Sequence, residues 1–286
     1  MIQNNKIKIP RAEIGVLGGS GFYNLLDPSV GGVKEYEIKT PFGSPSDKIR
    51  LSKVENKKVA FIPRHGVGHK LPPHKIPYRA NLWAMKKMGV KRIISPMAVG
   101  SLNPLIKLGN FIICDSFVNW NCAREDTFYT GQEVEGVKKS ERVAHFEMAE
   151  PYCPELRKNI IKGAKKLNIP YHTTGTVVVI EGPRFSTRAE SKFFTRSGWD
   201  IINMTAYPEV ALARELGICY ANIGLVTDYD AGLVGQKGIK PVNLKEVIKV
   251  FNFNNERVKE LILEVIKSIP KDRKCKCDRY LDEAVI

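Results

Sequence analysis

In "GLVTDYD" an apolar run, Gly224 to Val226, gives way to two carboxylates, Asp228 and Asp230, with Tyr229 between them. An acid beside a core is costly unless it has a partner or a task. Burial raises a carboxyl pKa, and an acid kept protonated at neutral pH can donate to a leaving group. Other reactive residues follow other apolar runs. "GVLGGSGF" turns on glycines around Ser20, a shape suited to backbone N–H groups and a hydroxyl aimed at one phosphate. It misses the G-x-G-x-x-G dinucleotide pattern, because Asn24 stands at the third glycine. In "PRHGVGHK", Arg64 can hold phosphate through a bidentate fork, with His65 beside it. "IEGPRFSTRAES" offers Glu181, Arg184, Phe185 and Ser186. Phe185 reads as a stacking platform or as core, and Ser186 as a ligand or as a helix cap. There is no hydrolase elbow, Walker loop or zincin helix. His65, His69 and His74 lack metal-ligand spacing, so neither a metal nor an organic cofactor is expected.

The elements that must position these residues alternate. "AEIGVLGGSG", "VKRIISPMAVG", "GNFIICDSFV", "TGTVVVIEG", "WDIINMT" and "ICYANIGLVTD" read as strands. "NLWAMKKMG", "ELRKNIIKGAKKLN", "STRAESKFFTRSG" and "PEVALARELG" read as helices. Leu244 to Ile269 keeps helical spacing up to Pro270, with Asn243 and Glu246 placed as a capping box. The pattern predicts one α/β domain over residues 1–286, a mixed but mostly parallel sheet flanked by helices. Residues 1–13 extend it at the N-terminus, and residues 271–286 form a tail carrying Cys275-x-Cys277. Such sheets bind ligands at strand carboxyl ends. Five strand ends, preceding Gly19, Arg64, Glu181, Asn203 and Asp228, are expected to share one rim.

Composition narrows the function classes. The chain is 43% hydrophobic and 26% charged, and no apolar stretch approaches the roughly 18 residues of a membrane span. The first residues lack a signal-peptide core, and six scattered cysteines are no secreted disulfide framework, so a cytoplasmic protein is expected. The net charge of +15 would suit a nucleic-acid partner. The lysines, however, fall in ones and twos along the whole chain, and no nucleic-acid-binding module is visible. A basic surface that favours a small anionic substrate is the other reading.

Taken together, "IGVLGGSG", "PRHGVGH", "AVGSL", "MAEPYCPELR", "IEGPRFSTRAES", "NMTAYPEVALARELGICYANI" and "VTDYD" resemble the trimeric purine nucleoside phosphorylase family, from about Ile14 to Ile269. The most similar branch acts on 5′-methylthioadenosine. The resemblance implies phosphorolysis to adenine and 5-methylthioribose 1-phosphate, with inorganic phosphate as co-substrate. It places phosphate at Ser20, Arg64, His65, Ala98 and Thr205, and at Met97 through its backbone alone, since relatives carry a hydroxyl residue there. Phe185 and Met204 would lie against base and sugar, and Ser186 at the purine. Asp228, Tyr229 and Asp230 would read the adenine edge, the two acids also serving catalysis. Branches that cleave 6-oxopurines carry Asn at the Asp228 position. Val242 aligns with a histidine that grips a 5′-hydroxyl in those branches, and a valine there suits a methylthio group. His145 would reach the neighbouring subunit's site, so a homotrimer or a dimer of trimers is implied. An adenosine or general purine nucleoside phosphorylase is the alternative within the family. The Cys-x-Cys tail resembles those of heat-loving archaeal relatives, as a redox or stabilising pair or as two thiols.

Overall fold

The computed structural model describes residues 9–19, 32–236, 239 and 243–285. The calls on Ser20 and Val242 lie outside these residues. The chain opens with β1 (Ile14–Gly18), β2 (Lys34–Tyr36), β3 (Ile49–Val54), β4 (Lys57–Pro63) and α1 (Tyr78–Lys87). There follow β5 (Arg92–Ser101), β6 (Phe111–Ile112), β7 (Ser116–Trp120), α2 (Pro154–Lys166), β8 (Tyr171–His172) and β9 (Thr176–Ile180). The last third holds α3 (Arg188–Arg196), β10 (Ile201–Asn203), α4 (Ala206–Glu215), β11 (Cys219–Tyr229), α5 (Leu244–Ser268) and α6 (Tyr280–Ala284).

The strands form one mixed sheet in the order β2-β3-β4-β1-β5-β10-β9-β7, with β11 also paired to β5 and to β6. Pairings of β1 with β4 and β5, of β11 with β5, and of β9 with β7 and β10 are parallel, whereas β10 meets β5 antiparallel. Strand β5 is therefore the seam between two halves of opposite direction, and the site forms along it. Successive side chains of a strand face opposite ways, and the core follows that period. Val59 and Phe61 of β4, with Ala221, Ile223 and Leu225 of β11, join the cluster under α2 and α5. Ala60 and Ile62, with Tyr220 and Val226, join the one under α1 and α4. Among the described residues, no helix is long and apolar enough to cross a membrane.

Three local expectations change. "GNFIICDSFV" is two strands, because β6 pairs with β8 and β11 while β7 leaves to pair with β9. Asn243 caps α5 through the Lys245 N–H at 2.8 Å, without the reciprocal glutamate bond of a capping box. In α5 the stripe is buried from Phe251 to Ile266, yet Leu244 and Ile248 of the first two turns are exposed.

Candidate active site

The ends of β1, β4, β9, β10 and β11 meet the C-terminal half of β5 around a cavity of about 440 Å³. That is room enough for a small ligand. Gly19, Arg64, His65, His69 and Lys70 line it from the β1 and β4 side, and Thr227, Asp228 and Asp230 from the β11 side. Ile180, Phe185, Ile202 and Met204 contribute apolar surface. The rim of five strand ends is present, with cationic and histidine side chains at one part and carboxyls at another.

Arg64 follows β4, and its backbone N–H bonds Gly18 O at 2.8 Å, locking the ends of β1 and β4 together. Its side chain is 1% exposed. Nε donates to Glu209 Oε1, and Nη2 donates to Glu209 Oε2 at 3.1 Å, Ser95 Oγ at 2.5 Å and Leu17 O at 3.0 Å. The Arg64 fork is thus taken up inside the protein. This corrects the expectation of a bidentate phosphate grip and leaves Nη1, which donates to Pro96 O over a long 3.5 Å, as the guanidinium nitrogen toward Gly19. A Cβ at Gly19 would stand 3.0 Å from that nitrogen, so the glycine keeps the approach to it open. Burial works against the guanidinium charge, but the charge and hydrogen bonds of Glu209 outweigh it and raise the Arg64 pKa. Glu209 also accepts from Tyr220 Oη at 2.6 Å and Ser95 Oγ at 3.0 Å. His65 lies beside this network, stacked on His69. Its Nδ1 is 2.8 Å from Leu71 O, which can only accept, so Nδ1 carries the proton and Nε2 is left as an acceptor. Burial and the Arg64 charge push its pKa down to about 3, so the ring stays neutral across the working range.

The opposite end depends on a bulge. Pairing of β11 with β5 slips between Val226 and Asp228, with Thr227 as the extra residue. A bulge re-aims the side chains that follow it, and Asp228 thereby sits against Gly100. A Cβ at Gly100 would come within 3.0 Å of the Asp228 carboxylate and 2.9 Å of Ile202, so only glycine leaves the acid its space. Thr227 Oγ1 donates to Asp228 Oδ1 at 2.8 Å. Burial nevertheless pushes the Asp228 pKa up to about 6, and the nearby Asp230 adds to the rise. Asp230 is itself buried, and its Oδ2 accepts from Ser186 Oγ at 2.5 Å. Burial raises its pKa too, while hydrogen bonds from Ser186 and Ser191 pull it back. Asp230 thus serves as an anchor for two serines, and Asp228 is the acid with spare hydrogen-bonding capacity.

Ser186 is not the cap of α3. Thr187 is, accepting from Glu190 N at 3.2 Å while Glu190 accepts from Thr187 N at 2.7 Å, a full capping box. The Arg184 fork closes on Glu190 and holds its pKa near 2, aided by the Thr187 backbone bond. Thr187→Ala should cost about 0.5–2 kcal/mol of stability. Because α3 also carries Ser191, then for the two substrates that the family resemblance implies the Michaelis constant of the nucleoside should rise while that of phosphate holds. Calorimetry with two-substrate kinetics checks both, and equal rises for the two substrates would contradict the placement.

Between the two ends, Asn203 Nδ2 donates to Ala98 O at 2.9 Å, and its Oδ1 accepts from the backbone of Thr205 and Ala206 at 2.6 and 2.7 Å. Thr205 lines the cavity with its N–H bonded to Asn203 Oδ1 at 2.6 Å, and its hydroxyl, which donates to the same oxygen over a longer 3.3 Å, is the group that can turn to a ligand. Met97 lines the cavity too, but its sulfur turns toward Asn222 Nδ2, 3.5 Å away. Phe185 is 42% exposed and faces the cavity, so it is not core.

The structure thus gathers Arg64, His65, Met97, Ala98, Phe185, Ser186, Met204, Thr205, Asp228 and Asp230 around one space. Tyr229, the last residue of β11, does not line the cavity. His145 is exposed and lies outside its own chain's cavity. Sequence reasoning placed Asn203 on the rim without a role and passed over Glu209, Gly100 and Val247, the last of which reaches the cavity from the first turn of α5.

Comparison with known proteins agrees with this geometry. Residues 13–267 match the model of the phosphorylase superfamily. The chain is 48% identical to the S-methyl-5′-thioadenosine phosphorylase of Pyrococcus furiosus over 93% of this chain and 96% of that one. It is 45% identical to the 6-oxopurine nucleoside phosphorylase of the same organism, over 95% and 98%. A methylthioadenosine phosphorylase from Schistosoma mansoni, solved with adenine, superposes with a TM-score of 0.85 at 34% identity, covering 96% of this chain and 97% of that one. By its sequence match, its mixed sheet and the cavity along β5, this chain belongs to the phosphorylase superfamily.

Proposed function

We propose that the chain cleaves 5′-methylthioadenosine by phosphorolysis: a phosphate oxygen bonds to C1′, the C1′–N9 bond breaks, and adenine leaves. Overall identity separates amino- from oxopurine relatives poorly, at 48% against 45%. The observation that carries the choice is the buried carboxyl of Asp228. A carboxyl accepts from the 6-amino group and, when protonated, donates to N7 as that atom gains charge in the transition state. Phosphate would meet Arg64 Nη1, His65 Nε2, the Thr205 hydroxyl and the backbone N–H of Ala98, whereas the Met97 N–H falls on the β11 side of β5 and does not share that role. With its proton on Nδ1, the neutral His65 can only accept at Nε2, so its partner there is the proton-bearing oxygen of hydrogen phosphate. Phe185 and Met204 would flank base and sugar, with Ser186 held toward the purine by Asp230. Val247 offers the apolar contact a methylthio group needs, the observation that favours it over adenosine.

In this reading phosphate is a co-substrate and no cofactor is required. His145 would complete the cavity of a neighbouring subunit in a trimer or dimer of trimers. The enzyme would work in the cytoplasm.

The acid role has a pH signature. The folded pKa of Asp228 lies above its ordinary 3.8, at about 6, so folding favours the protonated form. The associated stability is full below pH 3.8 and is lost as pH rises through 6. At saturating phosphate, kcat/KM for methylthioadenosine should fall as pH rises above that value, and Asp228→Asn should remove this limb. A parallel limb in the variant would assign it to another group. The function itself is tested by adenine release from methylthioadenosine, adenosine and inosine, each with and without phosphate. Phosphate-dependent release fastest from methylthioadenosine is expected, and release without phosphate or a preference for inosine would overturn the proposal.

A further inference from the structure

Away from the cavity, four cysteines from three parts of the chain converge. Cys153 is the N-cap of α2, Cys219 begins β11, and Cys275 and Cys277 lie in the tail before α6. Their Sγ atoms all lie within 4.8 Å of one another, and Cys219 and Cys275 are 3.3 Å apart. Three of the four are buried and Cys275 is half-buried. Four thiolates at about 2.3 Å from one zinc ion form a tetrahedron with edges of about 3.8 Å, which matches this spread. An iron–sulfur cluster, with bridging sulfides between its irons, would hold the ligand sulfurs farther apart. We propose that Cys153, Cys219, Cys275 and Cys277 bind one structural zinc ion that fastens the C-terminal tail to α2 and β11.

The surroundings suit a dianionic zinc tetrathiolate. The N–H of Leu156, in the first turn of α2, donates to Cys153 Sγ at 3.4 Å, so the positive end of a helix faces that sulfur. Arg273 Nη1 stands 3.8 Å from Cys219 Sγ, held there by Gly217 O at 2.9 Å. The frame is braced independently of the sulfurs: Cys153 N donates to Tyr220 O at 2.9 Å, and Lys274 N to Glu155 Oε2 at 2.7 Å. Binding four thiols releases their protons and couples the ion to the docking of the tail. The far end of that tail pairs with the loop of His145, whose N–H bonds Ala284 O at 2.8 Å. No metal spacing is legible in the sequence, because the first two ligands are 66 residues apart and the Cys-x-Cys pair is 56 residues beyond them.

The test uses the full chain, freed of any affinity tag and expressed in zinc-supplemented medium. Elemental analysis should find about one zinc per chain, released when a mercurial blocks the thiols. On the unmutated protein, replacement by cobalt should produce the visible bands and near-ultraviolet charge transfer of tetrahedral thiolate coordination. The Cys275→Ser, Cys277→Ser double variant, altered beyond the residues matched by the family model, should fold and lose at least about tenfold of its bound metal. Iron in place of zinc, no metal with four alkylatable thiols, or disulfides found by non-reducing peptide mapping would each overturn the proposal. So would metal content unchanged in the variant.

Discussion

Glu209→Ala will unfold at markedly lower temperature than the parent and will also bind phosphate poorly. Removing the carboxylate strands a guanidinium that is 1% exposed, together with Ser95 and Tyr220 hydroxyls that lose their acceptor. Breaking one side of a buried pair costs about 3–5 kcal/mol. For a chain of this length that is a fall in Tm on the order of ten degrees. Arg64→Ala should lose stability for the mirror reason, since Glu209 is then left buried and unpaired. A double exchange to Met at 64 and Leu at 209 should recover much of the stability, because apolar replacements of buried pairs are often neutral. Phosphate affinity should not return, because Nη1 is gone. Melting curves and phosphate Michaelis constants for the three variants separate the two roles of Arg64. An unchanged Tm in Glu209→Ala would mean that the fork is not committed to Glu209, and the bidentate phosphate grip would stand again.

That pair also marks where sequence reading stops. The strands and their two faces are legible because the alternation of Val59, Ala60, Phe61 and Ile62 is local, and so is the return of chemistry-bearing residues after each apolar run. Glu209 lies in "PEVALARELG", where an acid reads as the solvent side of a helix. Its burial follows from an arginine 145 positions away, and no local pattern carries that. The bulge at Thr227 depends on how β11 pairs with β5, so its aim of Asp228 at Gly100 is equally silent. The cap of α3 is a different case. Thr187 and Glu190 have the Thr-x-x-Glu spacing of a capping box, and Ser186 has Ala189 three residues on, so the signal that frees Ser186 for Asp230 was present.

Asp228→Asn should reverse the preference between adenine and 6-oxopurine nucleosides while leaving phosphate binding in place. The carboxyl stands on the bulge with one oxygen engaged by Thr227 and the other against Gly100, where nothing larger than glycine fits. Asparagine fills the same volume, so packing should survive and the change is one of hydrogen bonding alone. An amide can donate to N7, but it loses the acid proton and can direct N–H₂ at the 6-amino donor. Facing a buried donor with another donor costs about 1–3 kcal/mol, which is roughly a tenfold to hundredfold fall in kcat/KM for methylthioadenosine. The same N–H₂ meets the 6-oxygen of inosine as a proper partner, so inosine cleavage should rise from a low base. Ser186 and Asp230 are untouched and should keep part of the adenine recognition, making the reversal incomplete. The informative quantity is the ratio of kcat/KM for methylthioadenosine and inosine, before and after the substitution, at fixed saturating phosphate. A ratio that stays constant while both activities drop would show that Asp228 supports the fold of the bulge without reading the base, and the adenine assignment would lose its physical basis.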